Sequence, residues 1–211
     1  MQIIYLESVD STQKYLKELI RQNSISVPHA IVAQRQTDGV GSRGNSWMGM
    51  DGNLFVSFAL DLGDLPSDLQ IESASIYFAY ILKETLEELN SKVWLKWPND
   101  FYIENHKVGG MITNISKETL ICGIGLNLLA APEGFAIMDI RISKDELLKK
   151  YFANIEKKIS WKQVFSKYEL EFYKSKMFHT HKNNLKISLQ DAVLQSDGSV
   201  ISNGERIFSL R

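Results

Sequence analysis

The sequence predicts an α+β sandwich built on a mixed or antiparallel sheet, and three features of the chain predict it. Strand-length apolar runs joined by short polar turns occupy residues 93 to 128. A long apolar helical period over residues 69 to 90 interrupts the strands, and two further helical stretches precede a tail of short alternating segments.

Each element follows from its own residues. Residues 2 to 7 read as a strand, and Asp10-Ser11-Thr12 then offers N-cap side chains to a helix in which Tyr15, Leu16, Leu19 and Ile20 recur at helical spacing. Residues 30 to 36 form a partly β-branched strand that ends in polar residues, and residues 53 to 60 form another. Between 69 and 90 the apolar set from Ile71 to Leu89 is long and periodic enough for a largely buried helix. Val93 to Trp97 makes a strand stopped by Pro98. Residues 101 to 104 and 108 to 115 form a hairpin around Asn105-His106, and residues 120 to 128 follow the Lys117-Glu118-Thr119 turn as a further strand. Helices are expected over 143 to 158 and 160 to 175. From Leu185 the tail carries turn signals at Asp197-Gly198 and Asn203-Gly204 and is too short for a sizeable core of its own.

Composition narrows the function classes. A chain of 211 residues with 44% apolar and 23% charged residues suits a globular domain of ordinary size. A net charge of −1 supplies no general attraction for nucleic acid or anionic lipid, so no DNA or membrane partner is expected. Cys122 is the sole cysteine, which excludes a disulfide framework and reads as an inert buried thiol. No signal peptide or membrane-length apolar run is visible, and a cytoplasmic location is the expectation.

The stretch DGVGSRGNSW, residues 38 to 47, places Gly39, Gly41 and Gly44 in the spacing G-x-G-x-x-G. A dinucleotide fingerprint needs a helix opening inside that spacing, because the helix N-terminus holds the pyrophosphate. Here Asn45 to Asn53 brings two more glycines and no helical period. No V-A-I-K strand or H-R-D loop follows, so the kinase reading fails as well. What remains is a long glycine-rich loop between two strands, either functional or a surface connection.

Three more segments carry chemistry. In LKWPND, residues 95 to 100, Lys96 can neutralise phosphate, Asn99 can read a nucleobase or phosphate, and Asp100 can hold Mg²⁺ bridging phosphate oxygens; an ordinary Asn-Asp turn is the plain alternative. Lys107 precedes Gly109 and Gly110 inside a strand, where glycine marks close approach of a ligand or a bulge. Gly123, Gly125 and Asn127 repeat the theme in CGIGLNL, and a buried Asn127 needs hydrogen-bond partners. His179 and His181 form a weak metal pair and read as surface residues, and no serine sits in a nucleophile elbow. If neighbouring strands pair, the four segments line one side of a sheet and form a pocket for an anionic nucleotide.

The order and spacing of these segments resemble the biotin protein ligases, the biotin–[acetyl-CoA-carboxylase] ligase family. The matching residues are Asp10-Ser11-Thr12-Gln13, Gln36 through Trp47, Lys96-Trp97-Pro98-Asn99-Asp100, Lys107-Val108-Gly109-Gly110 and Gly123-Ile124-Gly125-Leu126-Asn127. The resemblance implies a mixed, largely antiparallel sheet with helices packed against it, a catalytic domain over residues 1–182 and a shortened C-terminal β domain over 183–211. It implies that biotin and MgATP give biotinyl-5′-adenylate, whose biotin then passes to a lysine of a biotin carboxyl carrier protein.

By matching position, Ser11, Thr12, Gln13 and Gln36 surround the biotin ureido end, and Gly39, Val40, Gly41 and Ser42 close over biotin. Lys107 meets the carboxylate and α-phosphate, with Arg43 as the remaining loop cation. Trp47, Lys96, Asn99 and Asn127 serve ATP, and Asp100 serves its metal. The loop departs from the family's usual G-R-G-R-x-G-R: Val40, Ser42 and Asn45 stand where arginines are common, and Gln13 replaces Asn. The chain starts in the first catalytic strand, so the resemblance is to the short form without a DNA-binding domain. A lipoate or octanoate ligase would carry R-R-x-S-G-G-G-x-V-x-H-D, which is missing. A non-catalytic biotin-binding regulator would not need Asp100 and Lys107.

Overall fold

The computed structural model describes residues 1–42, 45–182 and 185–209. Seven strands form the main sheet: β1 (Gln2–Val9), β2 (His29–Gln36), β5 (Leu54–Asp61), β6 (Trp94–Lys96), β7 (Asp100–Ile103), β8 (His106–Ser116) and β9 (Thr119–Leu126), in the spatial order β1-β2-β5-β9-β8-β7-β6. Only β1 and β2 run parallel within it, joined by α1 (Thr12–Arg21); every other neighbouring pair is antiparallel. The mixed, largely antiparallel sheet expected from the hairpins is therefore present.

The two faces of the sheet are covered unequally. On one face α2 (Ala74–Glu87), α3 (Lys144–Glu156) and α4 (Trp161–Glu171) bury the main core. Strand alternation supplies it: Leu54, Val56 and Phe58 from β5 and Leu120, Cys122, Ile124 and Leu126 from β9 all point there. Phe58 lies at its centre, edge-on to Phe78, Tyr151 and Phe152 at centroid distances of 5.6, 5.8 and 5.7 Å. Such pairs add about 0.5–1.5 kcal/mol each beyond burial. On the other face α1 alone packs, its Leu16 against Ile31, Ala59 and Ile121. Ser11 caps α1 by accepting from the Lys14 N–H. The rest of that face, over β9, β8 and β7, is left open by α1 and forms the floor of a recess.

The tail docks onto the main core. Strands β10 (His179–Lys182) and β11 (Leu185–Ser188) pair as a hairpin, so the domain boundary expected at residue 182 lies between two paired strands. Strands β12 (Val193–Leu194), β13 (Val200–Ser202) and β14 (Glu205–Ile207) form a small sheet. Leu189, Ala192, Val200 and Ile207 join the main core. The turn before β13 is clamped by two indoles, Trp97 Nε1 donating to Gly198 O and Trp161 Nε1 to Ser196 O, each at 2.8 Å. His179 and His181 are exposed on β10. Among the described residues no helix is long and apolar enough to cross a membrane.

Candidate active site

The recess is a cavity of about 370 Å³ between the open face of the sheet, the first turn of α1 and the glycine-rich loop. Its floor consists of two rows of register-paired residues. One row runs Lys96, Asp100, Gly110, Gly125 across β6, β7, β8 and β9. The next, about 7 Å away at two residues along each strand, runs Ile112, Gly123, Ser57 across β8, β9 and β5. The first row carries charge and the second is neutral.

In the charged row Asp100 accepts from two lysines, Lys107 Nζ at 2.5 Å and Lys96 Nζ at 3.2 Å. Burial works against the charge on Asp100, but Lys107 and Lys96 outweigh it and hold the carboxyl below the usual carboxylate range. Lys107 reaches this face through a bulge. Phe101 pairs with Gly109 but Tyr102 pairs with Lys107, so Val108 is an extra residue on β8. Val108 is fully buried in the main core, and the inserted residue turns Lys107 from the core side to the cavity side. Gly110 lies beneath this pair: a Cβ there would lie 3.6 Å from Lys107 Nζ and 3.3 Å from Asp100 Oδ1.

In the neutral row the first turn of α1 supplies the wall. Gln36 Oε1 accepts from the Thr12 backbone N–H at 2.8 Å and from Thr12 Oγ1 at 3.0 Å. Thr12 Oγ1 also lies 2.8 Å from Ser57 Oγ. The Gln13 amide sits over Gly123, and its buried Nε2 has no hydrogen-bond partner among the described residues.

The glycine-rich segment folds as a short hairpin of β3 (Gly39–Val40) and β4 (Ser46–Trp47). Among its described residues no α-helix opens, and the segment continues into a strand at Ser46–Trp47, which counts against the dinucleotide reading. Its close pairing requires Gly39, where a Cβ would meet Trp47 O at 2.6 Å and Gln36 Nε2 at 2.9 Å. Trp47 lies directly on Gly125: a Cβ there would stand 2.5 to 2.9 Å from three indole atoms. Lys107 Nζ is 5.8 Å from the indole centroid.

Most of the residues predicted from the sequence meet in this one cavity. Ser11, Thr12, Gln13, Gln36, Val40, Gly41 and Ser42 line it on the neutral side, and Trp47, Asn99, Asp100 and Lys107 on the charged side. Gly39 supports the lining from behind. Lys96 stands one strand further out and reaches the cavity through Asp100. Arg43 lies outside the described residues. Asn99 donates to the Met111 carbonyl. Asn127 is buried at the end of β9, donating to Ala136 O at 3.2 Å and accepting from Asn53 Nδ2 at 3.3 Å. Asn53 in turn accepts from three consecutive backbone N–H groups, those of Leu128, Leu129 and Ala130, at 3.0 to 3.2 Å.

Sequence reading missed Asn53, Ser57, Ile112 and Phe135. Asn53 and Ser57 sit in a strand pattern that reads as core, and the register that brings Gly123 beside Ser57 is a long-range property. Phe135 enters because Ala136 N donates to Lys107 O at 3.0 Å, which lays the loop after β9 alongside the lysine.

The biotin/lipoate A/B protein ligase family matches over residues 5–127, which takes in α1, the glycine hairpin and both floor rows. The chain belongs to that family. The solved structure of biotin acetyl coenzyme A carboxylase synthetase from Helicobacter pylori with bound biotinylated ATP is 39% identical and covers 98% of this chain and 99% of its own, with a TM-score of 0.94. The biotin protein ligase from Aquifex aeolicus in complex with biotin and ATP is 28% identical over 100% of this chain and 98% of its own, with a TM-score of 0.75. The bifunctional ligase/repressor BirA of Escherichia coli is 30% identical over 133 residues, which is 60% of this chain and 40% of that protein. The chain thus spans less than half the length of that relative.

Proposed function

We propose that this protein is an ATP-dependent biotin protein ligase that makes biotinyl-5′-adenylate and passes biotin to a lysine of a biotin carboxyl carrier protein. The observation that carries the proposal is the two-row cavity: the Gln13 amide, its Nε2 unpartnered among the described residues, belongs to its neutral end, and a lysine turned inward by a bulge stands at its charged end, the two rows being about 7 Å apart. A ureido ring offers the carbonyl oxygen that such a donor needs. The dithiolane of a lipoyl group offers none, so the neutral row favours biotin over lipoate.

In the first step a biotin carboxylate oxygen bonds to the α-phosphorus of ATP, and the bond to pyrophosphate breaks. Lys107 stabilises the charge that gathers on the carboxylate and α-phosphate. In the second step the carrier lysine, having lost its proton, attacks the acyl carbon, and AMP leaves as the amide forms. Neither step requires a nucleophile from the enzyme. Ser11, Thr12, Gln13 and Gln36 hold the ureido end, with Gly39, Val40, Gly41, Ser42 and Arg43 closing over it. Trp47, Asn99 and Lys96 serve the nucleotide, and Asn127 steadies the end of β9 beside it.

The donor set does not fit a metal held by the protein alone. Both oxygens of Asp100 are engaged by lysines, and no group of three His, Cys, Asp or Glu among the described residues could hold an ion. Mg²⁺ is therefore taken as arriving on the phosphates of ATP, and Asp100 as the residue that positions Lys107. The need for ATP and for a carrier protein fits a cytoplasmic setting. The deciding measurement is ATP/pyrophosphate exchange with and without biotin. Exchange that requires biotin supports the proposal; exchange that requires lipoate, or binding of biotin without exchange, overturns it.

A further inference from the structure

We infer that Ser175 is a positioning residue of this site: its buried hydroxyl, reaching in from the segment after α4, fixes the turn that holds Lys96, Asn99 and Asp100 at the nucleotide end of the cavity. The inference rests on the reading of the cavity as a biotin ligase site, and it adds a residue beyond the stretch 5–127 over which the family matches.

The turn Trp97-Pro98-Asn99 joins β6 to β7, and the residues flanking it, Lys96 and Asp100, are a register pair bridged at 3.2 Å. The ladder between the two strands ends at that pair, so the backbone N–H of the buried Trp97 needs an acceptor from elsewhere. Ser175 Oγ accepts it at 2.9 Å, at a position wholly closed to solvent. On the other side of the turn the Asn99 carbonyl accepts from the Met111 N–H at 2.9 Å, and the Asn99 amide donates to the Met111 carbonyl. The turn is thus gripped by β8 on one side and by Ser175 on the other.

The 3₁₀ segment Phe172–Met177 that carries Ser175 is anchored at both ends. Before it, Glu171 pairs at 3.0 Å with the buried Lys83 of α2, which also pairs with Glu87 at 2.9 Å. Burial works against the charge on Lys83, but Glu171 and Glu87 outweigh it and hold the ammonium above its ordinary range. After it, Phe178 packs on Trp94 and Tyr102 at centroid distances of 5.5 and 5.0 Å. Lys83, Glu171 and Phe178 do not line the cavity, and the Ser175 hydroxyl is the hydrogen bond by which their segment reaches the turn.

Removing that hydroxyl orphans a buried N–H inside the turn. The turn must then shift, taking with it Lys96 and Asp100, and through Asp100 the bridged Lys107. The side chains of Thr12, Gln13, Gln36 and Ser57 stand on other elements, α1, β2 and β5. The loss should therefore be felt by ATP and not by biotin.

The test measures the KM for ATP in biotin-dependent ATP/pyrophosphate exchange, and biotin affinity by titration calorimetry without ATP. Ser175→Ala should raise the KM for ATP about tenfold, equivalent to roughly 1.4 kcal/mol, while biotin affinity stays close to that of the wild type. Ser175→Cys, close in volume but a poor acceptor, should do the same, and it gives the readout if Ser175→Ala does not fold. Thr85→Val is the control, because it removes a buried hydroxyl that accepts from Asn154 Nδ2 at 2.9 Å; it should lower thermal stability and leave the KM for ATP alone. An unchanged KM in the Ser175 variants, a parallel loss of biotin affinity, or an equal rise in Thr85→Val would each overturn the inference. If the wild type shows no biotin-dependent exchange, the functional reading itself fails, and the inference with it.

Discussion

Gly125 carries the indole of Trp47, and substituting it tests whether the charged row works as described. In Gly125→Ala the new methyl would lie 2.5 Å from Cε2, 2.6 Å from Nε1 and 2.9 Å from Cζ2 of that indole. Ordinary carbon contacts are about 3.5–4.0 Å, so the ring must retreat by about 1 Å. The floor cannot yield instead, because Gly125 is paired on both sides, to Phe55 of β5 and Gly110 of β8. The retreat is passed to the glycine hairpin, since Trp47 pairs with Gly39.

Overpacking of this kind costs about 1–3 kcal/mol. It falls on a two-residue strand pair at the rim rather than on the core, so unfolding should change little while the cavity loses its shape on the nucleotide side. We expect the rate of adenylate formation at subsaturating ATP to fall roughly tenfold to a hundredfold, the same energy expressed as a rate. Gly110→Ala serves as the contrast, because the nearest atoms to its methyl are Asp100 Oδ1 at 3.3 Å and the flexible Lys107 side chain at 3.6 Å, and should cost far less. Single-turnover adenylation against ATP concentration, with thermal unfolding in parallel, decides the matter. Equal effects in the two variants would mean that the indole does not rest on Gly125 in the working enzyme.

Three further outcomes follow from the same geometry. Lys107→Ala should slow adenylate formation about 10²- to 10³-fold, the range for losing one donor at developing charge, while biotin affinity stays within a few-fold; near-normal single-turnover rates would remove Lys107 from the chemistry. Asn53→Ala strands three backbone N–H groups and should lower stability by about 2–4 kcal/mol; a loss under about 0.5 kcal/mol in urea unfolding would show that the loop after β9 does not depend on it. Ser42 lines the cavity, and Ser42→Arg should slow escape of the adenylate about tenfold if one charge-assisted contact contributes roughly 1.4 kcal/mol; equal dissociation rates would assign the holding to the loop backbone.

Local pattern made much of this architecture legible. The strands 30 to 36, 53 to 60 and 120 to 128 appear as β2, β5 and β9 because apolar β-branched and aromatic residues are bounded by turn chemistry at each end. The long period at 69 to 90 is the central helix, shortened at its start by a 3₁₀ turn at Ile71–Ser73. The helix expected over 160 to 175 is α4 continued as a 3₁₀ segment from Phe172 to Met177. The site residues were readable where a residue was out of place for its element: glycines in strands, a lysine before them, an amide at a strand end. Trp97 was the most conspicuous member of its motif, yet it is fully buried and ties the tail to the domain. A motif thus mixes residues that touch the cavity with residues that hold the wall in place, and spacing alone does not sort them.

The side of the sheet on which a residue appears is harder to read than the strand itself. Strict alternation from Gly110 on the cavity side assigns Gly109 to the core, Val108 to the cavity and Lys107 to the core, which would bury an ammonium among apolar side chains. The structure avoids that cost by one inserted residue, with Val108 kept in the core and Lys107 turned outward to Asp100. The bulge is therefore where two demands meet, burial of valine and exposure of lysine, and neither could be met in register. The same reasoning explains Ser57, which alternation alone places between the packed Ala59 and the cavity. Its neighbour Gly123 has no side chain, so nothing on β9 can satisfy the hydroxyl, and the bond must come from Thr12 across the gap. A polar side chain opposite a strand glycine thus marks the border at which a packed face becomes a binding face.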